Sequence, residues 1–338
     1  MAVRLRDVAD RAGVSARSVS NVINDFHYVS PAMRERVQAA IKELDYQPNL
    51  LARSLRQGRT GTVGFLLPEI NVPYFGELAH QIVEQASELG LTVLIDETGG
   101  ESHREMAQLE VMSRSALVDG ILLSALGLSG HQLAQLRPRI PVVLLGERVA
   151  GSALDHVGID NVAAAQDVTQ YLVDSGRTRI AVMAEKHHPL APTSRPRLKG
   201  YRAALASGGL AVDPQLVARV DHLRRQDGVD AMARLLALPH RPDAVFCVND
   251  LLAIGALSEL HRQRVRVPEE ISVVGFDDVE ECRFTIPTLS TVAPDKAEIA
   301  RMALRILSER LAGSSEPPRD LRVQHRLTLR DSSVGAGG

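Results

Sequence analysis

Polar residues stand just beyond the carboxyl end of most apolar runs in this chain. Glu69, Asn71, Tyr74 and Phe75 follow the run at 62–67, and Ser124 closes the run at 120–124. Glu147 and Arg148 follow 141–145, Asp221 and His222 follow 217–220, and Leu223 comes next. Asn249 and Asp250 follow 243–248, and Asp277 and Asp278 follow 272–276. Arg197 opens a helical stretch after the run at 179–184. Carboxylates, an amide and a guanidinium can each engage two hydroxyls. Rings such as Tyr74 and Phe75 can rest against the face of a sugar. The set therefore suits a small polyhydroxylated ligand. A second reading is that acids and asparagines after strands simply cap the next helix, and Asn249 and Asp250 fit it well. Spacing alone leaves both open.

Enzyme chemistry has little support. The glycines at 58, 61 and 64 do not form G-x-G-x-x-G and precede a strand instead of following one, so a dinucleotide site is not indicated. No G-x-S-x-G, H-E-x-x-H or G-K-[ST] occurs. Asp277-Asp278 has no identifiable base or nucleophile beside it. His187-His188 fit loop residues better than metal ligands. No enzyme activity, metal or cofactor is expected.

The elements that must position these residues alternate. From residue 62, near-continuous apolar strands are separated by helical stretches, the pattern of parallel sheets covered on both faces. Some 280 residues exceed one small sheet, so two doubly wound α/β lobes are expected, with a boundary near 156–161. In open α/β sheets, ligands bind beyond the carboxyl ends of the strands. A strand at 289–292 precedes a helix at 295–311, and a last strand lies near 321–329.

Residues 3–45 differ. Leu5, Val8, Ala9 and Ala12 recur at helical spacing, Gly13 breaks the pattern, and Ser15 caps a second helix with Val19, Val22 and Ile23 on its apolar face. Ser30-Pro31 starts a third, with Val37, Ala40, Ile41 and Leu44 as its stripe. This is a helix-turn-helix unit. Residues 46–60 can form about two helical turns, too few to persist alone, and are expected to act as a hinge.

Charge divides at the same place. The 338 residues carry a formal net charge of −2, but residues 1–60 hold ten Lys+Arg against six Asp+Glu, and the remainder 29 against 35. A basic head on an acidic body fits an appended nucleic-acid-binding module. With no Trp, five Tyr and six Phe, the chain lacks the aromatic platforms of a single-strand binder. Two cysteines exclude a disulfide scaffold. No apolar run reaches the ~18 residues of a membrane span, and charge at Arg4, Arg6 and Asp7 does not fit a secretory signal. A cytoplasmic location is expected.

Several motifs carry a family resemblance. Asp7-Val8-Ala9, Ala12-Gly13-Val14-Ser15, Ser18-Val19-Ser20, Val29-Ser30-Pro31, Tyr46-Gln47-Pro48-Asn49 and Ala52-Arg53-Ser54-Leu55 closely resemble the head of the lactose/galactose-repressor (LacI/GalR) family. Asn71-x-Pro73-Tyr74-Phe75, Asp160-Asn161, Arg197-x-x-Gly200-Tyr201, Asn249-Asp250 and Val274-Gly275-Phe276-Asp277-Asp278 extend the resemblance through the body. It departs from the family at Ser18, Asn21, Met33 and Leu223, where relatives usually carry Thr, Arg, Thr and, in some, a stacking ring.

The resemblance implies a repressor with a helix-turn-helix headpiece and a two-lobed core like that of periplasmic sugar-binding proteins. It implies a homodimer on a near-palindromic operator in double-stranded DNA, released by a small effector, with a sugar expected. Ala16, Arg17 and Asn21 would face base edges in the major groove. Ser15, Ser18 and Ser20 would hold phosphates, with Asn24 beside them. Asn49, Ala52 and Arg53 would belong to a hinge helix whose Leu55 wedges into the minor groove. Effector contacts would come from Asn71, Tyr74, Phe75, Ser124, Arg148, Arg197, Leu223, Asn249 and Asp277, with Glu147 a further candidate.

The expected divisions are a DNA-binding domain at 1–47, a hinge and linker at 48–60, a first lobe at 61–161 plus 292–320, a second at 162–291 plus 321–330, and a disordered tail at 331–338. A corepressed or activating regulator, a transport-type sugar binder and an enzyme acting through Asp277 or Asp278 are the competing readings.

Overall fold

The computed structural model of the chain describes residues 3–23, 26, 28–46, 59–135, 138–147, 151–185 and 194–334. It divides into two compact units, 1–60 and 61–338.

The small unit holds α1 (Leu5–Ala12), α2 (Ala16–Ile23) and α3 (Pro31–Glu43). Asp7 folds back to accept from the Arg4 amide at 2.7 Å, securing the start of α1. Gly13, at φ +66°, ends it in the left-handed conformation that glycine adopts without steric cost. The Ser15 hydroxyl accepts from the Ser18 amide at 3.1 Å and caps α2. Ser30 caps α3 through the Met33 amide, with Pro31 in the first turn. Val8, Ala9, Ala12, Val19, Val22, Val37 and Ala40 close a small core.

The large unit contains two six-stranded sheets among the described residues. The first comprises β1 (Thr62–Leu67), β2 (Thr92–Glu97), β3 (Gly120–Leu123), β4 (Val142–Leu145), β5 (Asp155–Ile159) and β11 (Asp320–Val323). The second comprises β6 (Ile180–Glu185), β7 (Val217–Val220), β8 (Ala244–Cys247), β9 (Ser272–Phe276), β10 (Ser290–Pro294) and β12 (His325–Thr328). The orders are β11-β5-β4-β3-β1-β2 and β12-β10-β9-β8-β6-β7. All pairings are parallel except β10 with β12.

Helices α4 (Pro73–Glu88), α5 (Ser102–Arg114) and α6 (Gly130–Gln135) lie between strands of the first sheet. Helices α7 (Asn161–Asp174), α8 (Ser194–Ser207), α9 (Arg225–Leu236) and α10 (Asp250–Arg262) do so in the second lobe. The last helix, α11 (Lys296–Leu311), packs Ile299, Ala300, Ala303, Leu304 and Leu307 into the first lobe's core.

Four sequence expectations need correction. First, 155–159 is a full buried strand and not merely a boundary. Second, residues 292–294 belong to the second sheet through β10, so the return crossing follows at Asp295. Third, the expected strand at 321–329 is two strands. β11 pairs with β5 in the first lobe, and β12 pairs with β10 in the second, with Gln324 between them. The chain therefore crosses between lobes at Asp160, Asp295 and Gln324. Fourth, the tail is ordered through residue 334. Ser332 donates to the Val273 carbonyl at 2.6 Å and accepts from the Ser290 amide at 2.8 Å. Residues 335–338 lie outside the described residues.

Candidate functional site

The carboxyl ends of both sheets face a cavity of about 300 Å³ between the lobes. From the first lobe it is lined by Glu69, Tyr74, Phe75, Ser124 and Glu147, and from the second by Asn161, Arg197, His222, Leu223, Arg224, Asn249 and Asp277.

Arg197 sits in the first turn of α8 and is almost wholly buried. Its Nε donates to Asn161 Oδ1 at 2.9 Å and its Nη1 donates to the Val248 carbonyl. The guanidinium lies over the Phe276 ring, 3.5 Å from the centroid, and Asp277 Oδ1 is 3.8 Å from Nη1. A buried cation is tolerable only with such partners. Asp277 takes φ +120°, which turns its side chain off the end of β9 toward Arg197.

Lys296, the first residue of α11, donates to the carbonyls of Asp277 at 2.6 Å and Asp278 at 3.0 Å. It also pairs with Glu77 of α4 at 2.9 Å, and Glu77 accepts from the Glu280 amide at 2.8 Å. This group ties the lobes together behind the cavity. Arg224 and Glu69 meet across its mouth at 3.5 Å.

Tyr74 and Phe75 enter with the first turn of α4, edge to face at 5.3 Å. Burial pushes the Tyr74 phenol well above its ordinary value, with Asp277 adding to the effect, so it stays protonated. Ser124 opens the loop after β3, which Glu105 holds. That buried carboxylate accepts from the amides of Leu126, Gly127 and Leu128 at 2.8 to 3.1 Å.

Helix capping and a place in the cavity wall coincide here. Asn249 lines the cavity, yet its Oδ1 caps α10 through the Leu252 amide at 3.0 Å and its Nδ2 donates to the Leu223 carbonyl at 3.0 Å. Asp250 is structural: it accepts from Thr291 Oγ1 at 2.6 Å and the Val279 amide at 3.0 Å. Asp278 pairs with Arg330 at 2.6 Å and is not in the cavity wall. Asn71 is exposed and absent from that wall, whereas its neighbours Glu69, Val72, Tyr74 and Phe75 line it. Arg148 lies outside the described residues. Asn161, which lines the cavity, was not singled out from sequence as a contact residue; it opens the helix after a lobe crossing, a position that could have flagged it.

Burial pushes the Glu147 carboxyl up to about 7, with Arg197 opposing and Asp160 reinforcing the shift. Burial also raises Asp277 against the opposing pull of Arg197. Both therefore bind protons more tightly folded than unfolded. Their contribution to stability is fullest below the ordinary carboxyl range and declines as pH rises through about 7. The ligand-free chain is expected to melt lower at pH 8 than at pH 6, and Glu147→Gln to shrink that difference. Identical pH dependence in the variant would contradict this.

In the small unit, Ser15, Ala16 and Arg17 are exposed at the start of α2, and Ser20 and Asn21 follow one turn on. These positions oppose the buried Val19 and Val22. Ser18 Oγ lies 2.9 Å from the capping Ser15 Oγ. Asn24, Asn49, Ala52, Arg53 and Leu55 lie outside the described residues.

Residues 4–49 match the model of bacterial regulatory proteins, lacI family, and 169–333 match a periplasmic binding protein-like domain. The ribose operon repressor of Escherichia coli K12 is 35% identical over 334 residues, 97% of this chain and 99% of that protein. The HTH-type transcriptional repressor CytR of the same strain is 35% identical over 333 residues, 98% and 96% of the two chains. A solved complex of the transcriptional regulator CelR with cellobiose shares 32% identity and a TM-score of 0.73, covering 98% of this chain and 100% of that one.

Proposed function

The chain belongs to the LacI family and is a DNA-binding transcriptional regulator, and from that premise we propose that it represses carbohydrate-utilisation genes until a small sugar binds between its lobes. The observation that carries this reading is the interlobe cavity with the buried Arg197 and Asp277 at its heart. Its volume is at the lower end of the ~300–1,000 Å³ typical of ligand sites, a size suited to a small saccharide. Its guanidinium and acids match hydroxyls, and Tyr74 and Phe75 supply apolar ring faces. The ribose operon repressor and the cellobiose complex of CelR point to the same ligand class.

The switch follows from the topology. Three crossings join the lobes, and the cavity draws groups from both. A ligand contacting both favours one lobe arrangement over another. Coupling of that equilibrium to operator binding through the expected hinge at 48–60, which lies largely outside the described residues, completes the switch. Residues 16, 17 and 21 read bases, while the serines of α2 bind phosphate. Two hinges require two copies. Exposed apolar residues offer a surface for the second copy: Val83, Leu89, Leu94, Ile95, Val111 and Leu117 in the first lobe, and Phe284 and Ile286 in the second. No helix among the described residues is long and apolar enough to cross a membrane, which fits a cytoplasmic repressor.

An operator can be selected from random duplexes with the full chain and its affinity measured by fluorescence anisotropy, with and without D-ribose, cellobiose and a wider sugar panel. Selection is expected to return a near-palindrome, and one sugar to weaken binding at least tenfold. A sugar that strengthens binding would make this a corepressed regulator. DNA binding indifferent to every sugar would overturn the effector reading. Arg17→Ala is expected to weaken the selected operator about tenfold or more and to relax preference at one base pair per half-site, as loss of a bidentate base contact does. A uniform loss across all sequences would assign Arg17 to phosphate instead.

A further inference from the structure

Glu147 is the one cavity residue whose buried carboxylate oxygen lacks a hydrogen-bond partner among the described residues. Its place is fixed from several sides. β4 ends at Leu145, and Gly146 turns at φ +89°. The Gly146 amide donates to the Val157 carbonyl at 3.0 Å, and its carbonyl lies 2.9 Å from His156 Nε2. His156 is held in turn by Asp320 at 2.7 Å. Gly158 admits the close approach, since a Cβ there would lie 2.1 Å from the Gly146 carbonyl oxygen. The backbone before Glu147 is therefore braced by β5 and β11, and its side chain lines the ligand cavity.

A buried acceptor left empty is costly, so a persistent one at a braced position points to a donor that arrives with the ligand. The charged groups around it are Arg197 and Arg322, which favour its anion, and Asp160, which opposes it. An ammonium placed there would meet Arg197. A carboxylate or phosphate would meet Glu147 and Asp277. A hydroxyl meets neither objection, and it can donate to the carboxylate or accept from the neutral acid.

We propose that Glu147 is a specificity-determining residue of this cavity, its Oε1 accepting from one hydroxyl of a neutral sugar. This rests on the sugar-effector reading above and names the group that selects the ligand. A sugar lacking that one hydroxyl is discriminated against, because the acceptor is then buried unpaired.

The test uses the full chain in thermal-shift and calorimetric titrations with D-ribose, 2-deoxy-D-ribose, D-glucose, its monodeoxy derivatives and cellobiose. Wild type is expected to bind at least one of the neutral sugars, and one deoxy analogue of it about ten- to a hundredfold more weakly, as loss of a hydrogen bond to a charged group requires. Glu147→Ala is expected to bind the parent sugar and that analogue alike. Glu147→Gln, which keeps the shape and a carbonyl acceptor, is expected to fall between and guards against a folding defect in the alanine variant. A sugar that binds Glu147→Ala as tightly as wild type would overturn the role of Glu147 and leave the effector reading intact. Failure of every neutral sugar to bind wild type would overturn both.

Discussion

Arg197→Ala is expected to leave operator binding intact and to abolish its release by sugar. The side chain makes two hydrogen bonds inside the protein, stacks on Phe276 and faces Asp277. Removing it leaves Asn161 Oδ1, the Val248 carbonyl and the Asp277 carboxylate without their cationic partner. Breaking a buried charge pair by removing one partner costs about 3–5 kcal/mol of stability, and each hydrogen bond that a ligand loses to the cation, ~1.5–3 kcal/mol, weakens it about ten- to a hundredfold. Arg197→Lys is expected to recover little, because an ammonium keeps the charge but not the planar fork that spans these acceptors. The small unit has its own core, so recognition of DNA should survive. Circular dichroism shows whether the variant is folded, and anisotropy with operator shows the response. Release of operator by sugar at wild-type concentrations would contradict the assignment.

Leu55→Ala is expected to collapse specificity more than affinity. The sequence at 46–60 allows about two helical turns, too few to persist alone, and Leu55 lies outside the described residues. A leucine wedge must offset the few kcal/mol needed to unstack a base step, and it does so by bending DNA onto more protein surface. Without it, the selected operator should lose about ten- to a hundredfold, whereas a scrambled duplex held by phosphate contacts should change little. Both must be measured at one salt concentration, since the phosphate contribution varies steeply with salt. An unchanged ratio of the two affinities would refute the wedge.

How far the residues foretold this structure depended on where their partners lay. The parallel strands were legible because buried strands such as Val142–Leu145 are apolar without interruption. β5 was not, because Asp-His-Val-Gly-Ile does not resemble a buried strand. It becomes one because Arg310 and the Arg319 amide satisfy Asp155, and Asp320 satisfies His156, all from more than 150 residues away. The buried serines at 332 and 333 escaped notice for the same reason: their partners lie on β9 and at the start of β10.

The site shows the same division. Strand-end position picked out Ser124, Glu147, Asn249 and Asp277, which do line the cavity. It did not separate Asp250 and Asp278, which serve the scaffold, from Glu147, which remains open. That depends on Thr291 and Arg330, which satisfy Asp250 and Asp278 from 41 and 52 residues away. Asn71 carried a family motif yet is not in this cavity's wall, where its neighbours Tyr74 and Phe75 are.

The central claim is that ligand between the lobes and operator at the head share one conformational equilibrium. Linkage makes that claim reciprocal: the factor by which sugar weakens operator binding equals the factor by which operator weakens sugar binding. Calorimetric titration of the wild-type chain with the responsive sugar, free and saturated with operator, measures the second factor directly. The account predicts that the two factors agree; equal sugar affinity in both states would contradict it.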